Sequence, residues 1–315
     1  MARHPKGTIS RLVGKHIWQP RGYPQGVEWH NVTDPASPEL DQLAKQFHLH
    51  PLHIEDCRHR NQSAKIEEGE GYLFAVLKVM RLMDDGSLHA ADFDVFFGHS
   101  FVVTVEEETC PEIQSIIQQV QQTPTAPERP DQVFYRIMDH VVDSYLPILD
   151  HFDDSIDALE DEALEDPTPD TLARIFENKR ALAILRRVLV NTRDVSGHLQ
   201  RTESPFIARD LWPFLRDVYD HVARNLDLVE TMRDLLSGTL DVYLSSVANR
   251  TNQVMKVLTV MSTIALPALV VSGFYGMNVK GLPAADSAYG VVLVVVLMVG
   301  CTVLLLYLLK RFRWL

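Results

Sequence analysis

The chain has little cysteine: three residues in 315, at positions 57, 110 and 301. They lie far apart, one sits inside a long apolar run, and an odd count builds no disulfide framework, so reduced thiols are expected. Three common catalytic signatures are missing: a GxxxxGK loop for nucleotide phosphates, an HExxH pair and a GxSxG elbow. Their absence argues against ATP-driven pumping and hydrolysis, and no enzyme activity or cofactor is expected. Positive charge is scarce, with 30 Lys and Arg against 42 Asp and Glu and a net charge of −12 at pH 7. Such an excess argues against nucleic-acid binding and suits attraction of cations. Residues 1–20 also lack the apolar core of a signal peptide.

Charge is missing altogether from two C-terminal stretches. Val257 to Phe274 offers eighteen uncharged positions and Tyr289 to Leu309 twenty-one, the second dominated by Val and Leu. A helix rises about 1.5 Å per residue and a bilayer core is roughly 30 Å thick, so both runs are long enough to cross. The fourteen residues between them suit a tight loop joining antiparallel spans. Lys310, Arg311 and Arg313 follow the second span, whereas the loop holds only Lys280 and Asp286. The basic end therefore belongs in the cytoplasm, and with two spans the N-terminus does too.

Upstream, GVEWHNVT at 26–33 has strand composition, and SPELDQLAKQF opens a helix with Ser37 as a plausible cap. GYLFAVLKVMRL at 71–82 and DFDVFFGHSFVVTVEE at 92–107 are rich in β-branched and aromatic residues, the latter broken at Gly98-His99 as a hairpin would be. Three prolines in TPTAPERP at 123–130 mark a module boundary. Beyond it the chain is helical. Ile148, Phe152, Ile156 and Leu159 share one helix face, and residues 150–166 hold nine carboxylates with no Lys or Arg. The next helix carries Arg174, Lys179, Arg180, Arg186, Arg187 and Arg193, so an antiparallel acidic–basic hairpin is expected, read either as solvated faces or as a cation-concentrating surface. A third helix starts near Pro205, and Val222, Leu226, Val229, Met232, Leu236, Leu240, Tyr243 and Val247 form its near-heptad seam. The expected organisation is α+β: a cytoplasmic α/β domain over 1–131, a helical hairpin over 132–204, a stalk helix over 205–253 and a pore domain over 254–315, with spans at about 254–275 and 289–309.

Tyr-Gly-Met-Asn at 275–278, at the outer end of the first of two C-terminal spans, resembles the signature of the CorA family of divalent-cation transport proteins. The resemblance extends through RDVYDH at 216–221, LDVYLSSVANRTNQVMKVLT at 240–259 and HPLHIEDC at 50–57. It implies a homopentameric funnel in a bacterial or archaeal inner membrane, passing Mg²⁺ and also Co²⁺ or Ni²⁺, with Mg²⁺ as both cargo and regulator. It also implies a selectivity filter at Gly276, Met277 and Asn278. Asparagine carbonyls there would hydrogen-bond the tightly held water shell of Mg²⁺, while Asn278 also fits a helix C-cap.

By the same resemblance, Asn252, Met255, Leu258, Ser262, Leu269 and Gly273 face the pore axis, with Met255 and Leu258 as an apolar gate. Polar residues in an apolar span also commonly bond their own backbone, and Pro267 should kink the helix or free a carbonyl. Regulatory divalent sites between subunits are implied at Asp56 with Asp217 and Glu55 with Asp139, with His221 nearby. Where relatives have a methionine and a pore-facing threonine, this chain has Leu266 and Leu269, and its loop NVKGLPAADS is closer to the zinc-transporting ZntB branch. A proton-coupled Zn²⁺ carrier and a non-conducting, membrane-anchored sensor are the alternatives. His48, His50, His53, Cys57 and His59 resemble a zinc cluster at no standard spacing.

Overall fold

A computed structural model describes residues 27–59, 62–83, 86–108, 111–122, 129–277, 283 and 289–311. They fall into two compact units, one of residues up to 161 together with 170–239, the other of 162–169 together with 240 onward.

The first unit is built on a five-stranded sheet of β1 (Glu28–Val32), β2 (Lys65–Gly69), β3 (Tyr72–Leu82), β4 (Leu88–Gly98) and β5 (Phe101–Glu106), in the order β1-β5-β4-β3-β2. β1 lies parallel to β5 and every other pair is antiparallel. The turn expected at Gly98-His99 separates β4 from β5. Alternation divides the two faces of β3 and β4. Phe74, Val76 and Phe96 join Leu40, Leu43 and Ile54 from α1 (Pro38–Gln46) and α2 (Pro51–Arg58) in one core. Helix α3 (Pro111–Gln122) packs against β3, and α4 (Pro130–Asp143) against β3, β4 and β5. There Phe97 stacks on Phe134 with ring centroids 4.4 Å apart. Ser37 holds the N-cap position of α1, but its hydroxyl makes no capping hydrogen bond.

The helical remainder differs from expectation at the start of its third helix. α5 (Leu146–Glu165) and α6 (Pro169–Arg201) form, and Phe152, Ile156 and Leu159 are buried. Two cations of α6 reach a third helix: Arg186 pairs with Glu230 and Lys179 donates to Ser237, both on α7 (Trp212–Tyr275). The apolar seam decides this, because burying Val222, Val229 and Leu236 fixes which polar flanks of α7 lie beside α6. Helix α7 begins later than Pro205. Phe206 and Ile207 are buried, a short 3-10 turn occupies Arg209–Leu211, and the helix proper starts at Trp212.

In the second unit α7 continues as one helix through Pro267 to Tyr275, and α8 (Gly290–Arg311) follows. Both are long and apolar enough to span a bilayer, and few or none of their residues in those windows are buried within the chain. Arg250 of α7 pairs with Asp166.

The sheet also buries charge that no strand pattern announces. Lys78 and Asp92 form an ion pair across β3 and β4, and Asp94 lies two residues along on the same face, hydrogen-bonded to Cys57 of α2. Burial, then the Asp92 charge, pushes the Asp94 carboxyl from its ordinary 3.8 up to about 8. The folded chain therefore keeps this proton to higher pH than the unfolded chain does. That disfavours folding progressively as pH rises from 3.8 to about 8, and the effect is constant above. Asp94→Asn should consequently gain thermal stability over the parent at about pH 8 and little at about pH 5, as read by unfolding of the detergent-solubilised protein. An equal difference at both pH values would contradict this.

Candidate pore and cation sites

Along the membrane part of α7, residues advance about 100° each around the axis. On that count Met255, Leu258, Ser262, Leu269, Gly273 and Gly276 fall within an arc of about 60°, with Asn252 about 60° outside it. All seven are exposed. The buried residues of this stretch, Pro267 and Val271, lie on the opposite side of the helix. Most other residues of this stretch, Val254, Met261, Ile264, Val270 and Phe274 among them, are exposed as well, so the helical count alone groups these positions. Thr259 and Thr263 play a different part: their hydroxyls donate to Met255 O at 2.8 Å and Thr259 O at 2.7 Å. Ser272 donates to Leu269 O at 3.3 Å, so these hydroxyls are used by the helix's own backbone.

The helix ends in a turn that needs glycine. Gly276 N donates to Ser272 O at 2.8 Å, and a Cβ at position 276 would stand 2.9 Å from that same carbonyl. Met277 N follows by donating to Phe274 O at 3.4 Å. Asn278 lies outside the described residues.

Away from the membrane segments, α4 and α7 bring a second set together. Asp139 and Asp143, one turn apart on α4, and His221 on α7 place ligand atoms within 4.8 Å of one another. Asp217 stands one turn before His221, with its Oδ2 3.8 Å from His221 Nε2. Burial, then the Asp143 charge, pushes the Asp139 carboxyl above its ordinary range. Burial, then Asp139 and Asp217, pushes the Tyr135 hydroxyl up to about 12. A divalent cation would relieve this crowding, and two carboxylates with an imidazole suit hard to borderline metals. Of the expected regulatory residues, Asp139, Asp217 and His221 therefore meet within one chain. Asp143 was not foreseen, although its spacing of four from Asp139 on an amphipathic helix was a usable signal. Glu55 and Asp56 sit apart from these on α2. Asp56 accepts from Lys65 at 2.7 Å, and Glu55 is exposed.

The histidine-rich run does not gather into a metal centre. His48 takes the left-handed conformation after α1, at φ 54°. His50 caps α2 by accepting from Leu52 N at 3.2 Å. His53 is buried against Phe74, with Nδ1 2.8 Å from the Tyr72 hydroxyl and Nε2 3.1 Å from Glu67. Cys57 faces Asp94, and His59 Nδ1 lies 3.0 Å from Glu55 O.

Two helices are long and apolar enough to cross a membrane, the first ends in a glycine turn, and the other unit carries the carboxylates with His221. Comparison with known proteins names the family. The sequence model of the family described as CorA-like Mg2+ transporter protein matches residues 24–311, and the chain belongs to that family. It is 35% identical over 91% of its length, and 83% of the relative's, to the cobalt/magnesium transport protein CorA of Thermotoga maritima. It is 21% identical over 93% of its length, and 85% of the relative's, to the zinc transport protein ZntB of Yersinia pseudotuberculosis. Among solved structures, the CorA magnesium transporter of Methanocaldococcus jannaschii superposes with a TM-score of 0.78 at 24% identity, covering 91% of each chain, and supports the fold. Family and fold support an inner-membrane protein.

Gly276→Ala should strain the turn by about 1–3 kcal/mol, the usual range for an overpacked site. Faster amide exchange at Met277, together with reduced metal flux, is the expected outcome. Exchange and flux equal to the parent's would show that the close approach to Ser272 O is unimportant.

Proposed function

We propose that the protein is a homopentameric pathway for divalent metal cations through the inner membrane, carrying chiefly Mg²⁺ and also Co²⁺ and Ni²⁺. The observation that carries this reading is the 35% identity, along nearly the whole chain, to a relative named for cobalt and magnesium transport. Five copies of α7 would turn the stripe of Met255, Leu258, Ser262, Leu269 and Gly273 toward a common axis. Rings of Met255 and Leu258 close such a path by excluding water. At the outer mouth, Gly276 and Met277 bring the chain to Asn278, whose carbonyl oxygens hold the hydrated ion without fixed charge, weakly enough to release it. The membrane potential supplies about 2.3 kcal/mol per charge per 100 mV, twice that for a divalent ion, so no chemical fuel is needed.

Closure is assigned to intracellular Mg²⁺ bound between subunits. Glu55 and Asp56 of one copy face Asp139 and Asp217 of the next, where the bound cation turns repulsion into a clamp. Loss of that cation frees the subunits, because the ligand favours only the state it binds better. The raised proton affinity of Asp139 and the crowding of Asp143, Asp217 and His221 around it support a cation at this surface. Both termini are cytoplasmic in this arrangement, so the clamp senses the cell interior.

Flux into proteoliposomes holding a fluorescent metal reporter tests the reading, with Mg²⁺, Co²⁺ and Zn²⁺ compared in the presence and absence of a proton gradient. Voltage-driven Mg²⁺ entry indifferent to that gradient is expected. Zn²⁺ entry that rises with inward protons, with little Mg²⁺ flux, would instead assign the ZntB-type activity. Asn278→Ala should abolish selective flux and leave the oligomer intact; undiminished Mg²⁺ flux would remove Asn278 from the filter. Asp217→Ala should weaken inhibition by internal Mg²⁺, and inhibition equal to the parent's would end its regulatory role.

A further inference from the structure

The first unit contains a cleft of about 600 Å³ between the end of β3, one face of α3 and the junction of α4 with α5. Its size is that of a small-molecule site. The walls are largely apolar, with Leu82, Ile116 and Ile148 from three different elements. Two carboxylates line the cleft, the partly buried Glu112 on the first turn of α3 and the exposed Asp143 at the last residue of α4. Glu112 is incompletely served: Arg81 Nε stands 3.7 Å from its Oε1, beyond hydrogen-bond range, and its buried Oε2 accepts no hydrogen bond. Asp143 lies at the carbonyl end of a fourteen-residue helix, where the backbone dipole adds partial negative charge. Arg81 and the two carboxylates together leave a net negative charge, and His140 also lines the cleft.

We propose that this cleft binds a linear aliphatic polyamine. An ammonium group at one end would serve Glu112 and a second would serve Asp143, while the methylene chain between them covers Leu82, Ile116 and Ile148. A phosphate or carboxylate ligand is disfavoured by the same two acids, and a bare metal ion would leave the apolar walls in water. Because Asp143 also belongs to the set with Asp139 and His221, a bound polyamine removes one ligand from that set. The consequence for regulation rests on the proposed divalent site; the binding itself does not.

Calorimetric titration of the full-length protein in detergent, with divalent metals chelated, separates the two. Spermidine and a series of diaminoalkanes of increasing length are the probes. A preferred chain length is expected, since two fixed carboxylates set one span, and Glu112→Gln should weaken binding about tenfold, the equivalent of 1.4 kcal/mol. Ser115→Tyr, which narrows the cleft without changing charge, should weaken it as well, whereas neutralising Asp153, Asp154 and Asp157 on α5 should not. Circular dichroism checks that each variant is folded. Absence of binding, affinity that follows ligand charge with no length preference, or loss confined to the α5 variant would overturn the proposal. Metal flux is not read in this experiment, so its failure leaves the transport reading untouched.

Discussion

Backbone hydrogen bonding in hydrocarbon is the constraint on which the rest depends. A chain that leaves water must satisfy its amides and carbonyls internally, and a helix does so with local bonds alone. α7 therefore reaches Tyr275 as one element, although Pro267 contributes no N–H within its span. Threonine hydroxyls along the same segment bond back to carbonyls one turn earlier, which keeps them away from lipid. Where the ladder stops, at Gly276, the chain tolerates a carbonyl approach that would exclude a Cβ. The Tyr-Gly-Met segment thus sits where the helical bonding of α7 ends.

Charge is distributed under a second constraint. Acids lie on both strands and helices of the first unit, and their neighbours decide what each one does. Asp92 is buried and neutralised by Lys78; Asp94, beside it, is buried without a cation and keeps its proton to about pH 8. Asp139, Asp143 and Asp217 crowd one another beside His221, an arrangement that favours an external cation. The same residue type is therefore paired within the sheet and crowded by like charge between α4 and α7. The difference is burial against solvent access.

Much of this was legible beforehand because it is periodic. The two apolar runs, the hairpin at Gly98-His99 and the seam from Val222 to Leu236 repeat with the period of the element they form. The Tyr-Gly-Met sequence was readable because it stands at a fixed place, the end of a span. Other features were hidden. Lys78 and Asp92 lie in segments that strand composition alone describes, and they are buried partners fourteen residues apart. The histidines around α2 read as one cluster and serve separate local roles, since a helical turn sends His50, His53 and Cys57 toward different neighbours. The reach of Arg186 and Lys179 from α6 to α7 was hidden too, since the apolar seam that sets it is read along α7 alone.

By itself, then, the sequence determined the helical spans, the alternation of the sheet and the family, since these follow from local periodicity and a motif read along one chain. Tertiary structure alone decided that Asp139 and Asp143 meet His221, that Asp94 lies beside Asp92 above Cys57, and that Glu112 and Asp143 share a cleft. Each group joins residues of different elements, and their spacing is set by how apolar faces pack. No periodicity in the sequence encodes that distance.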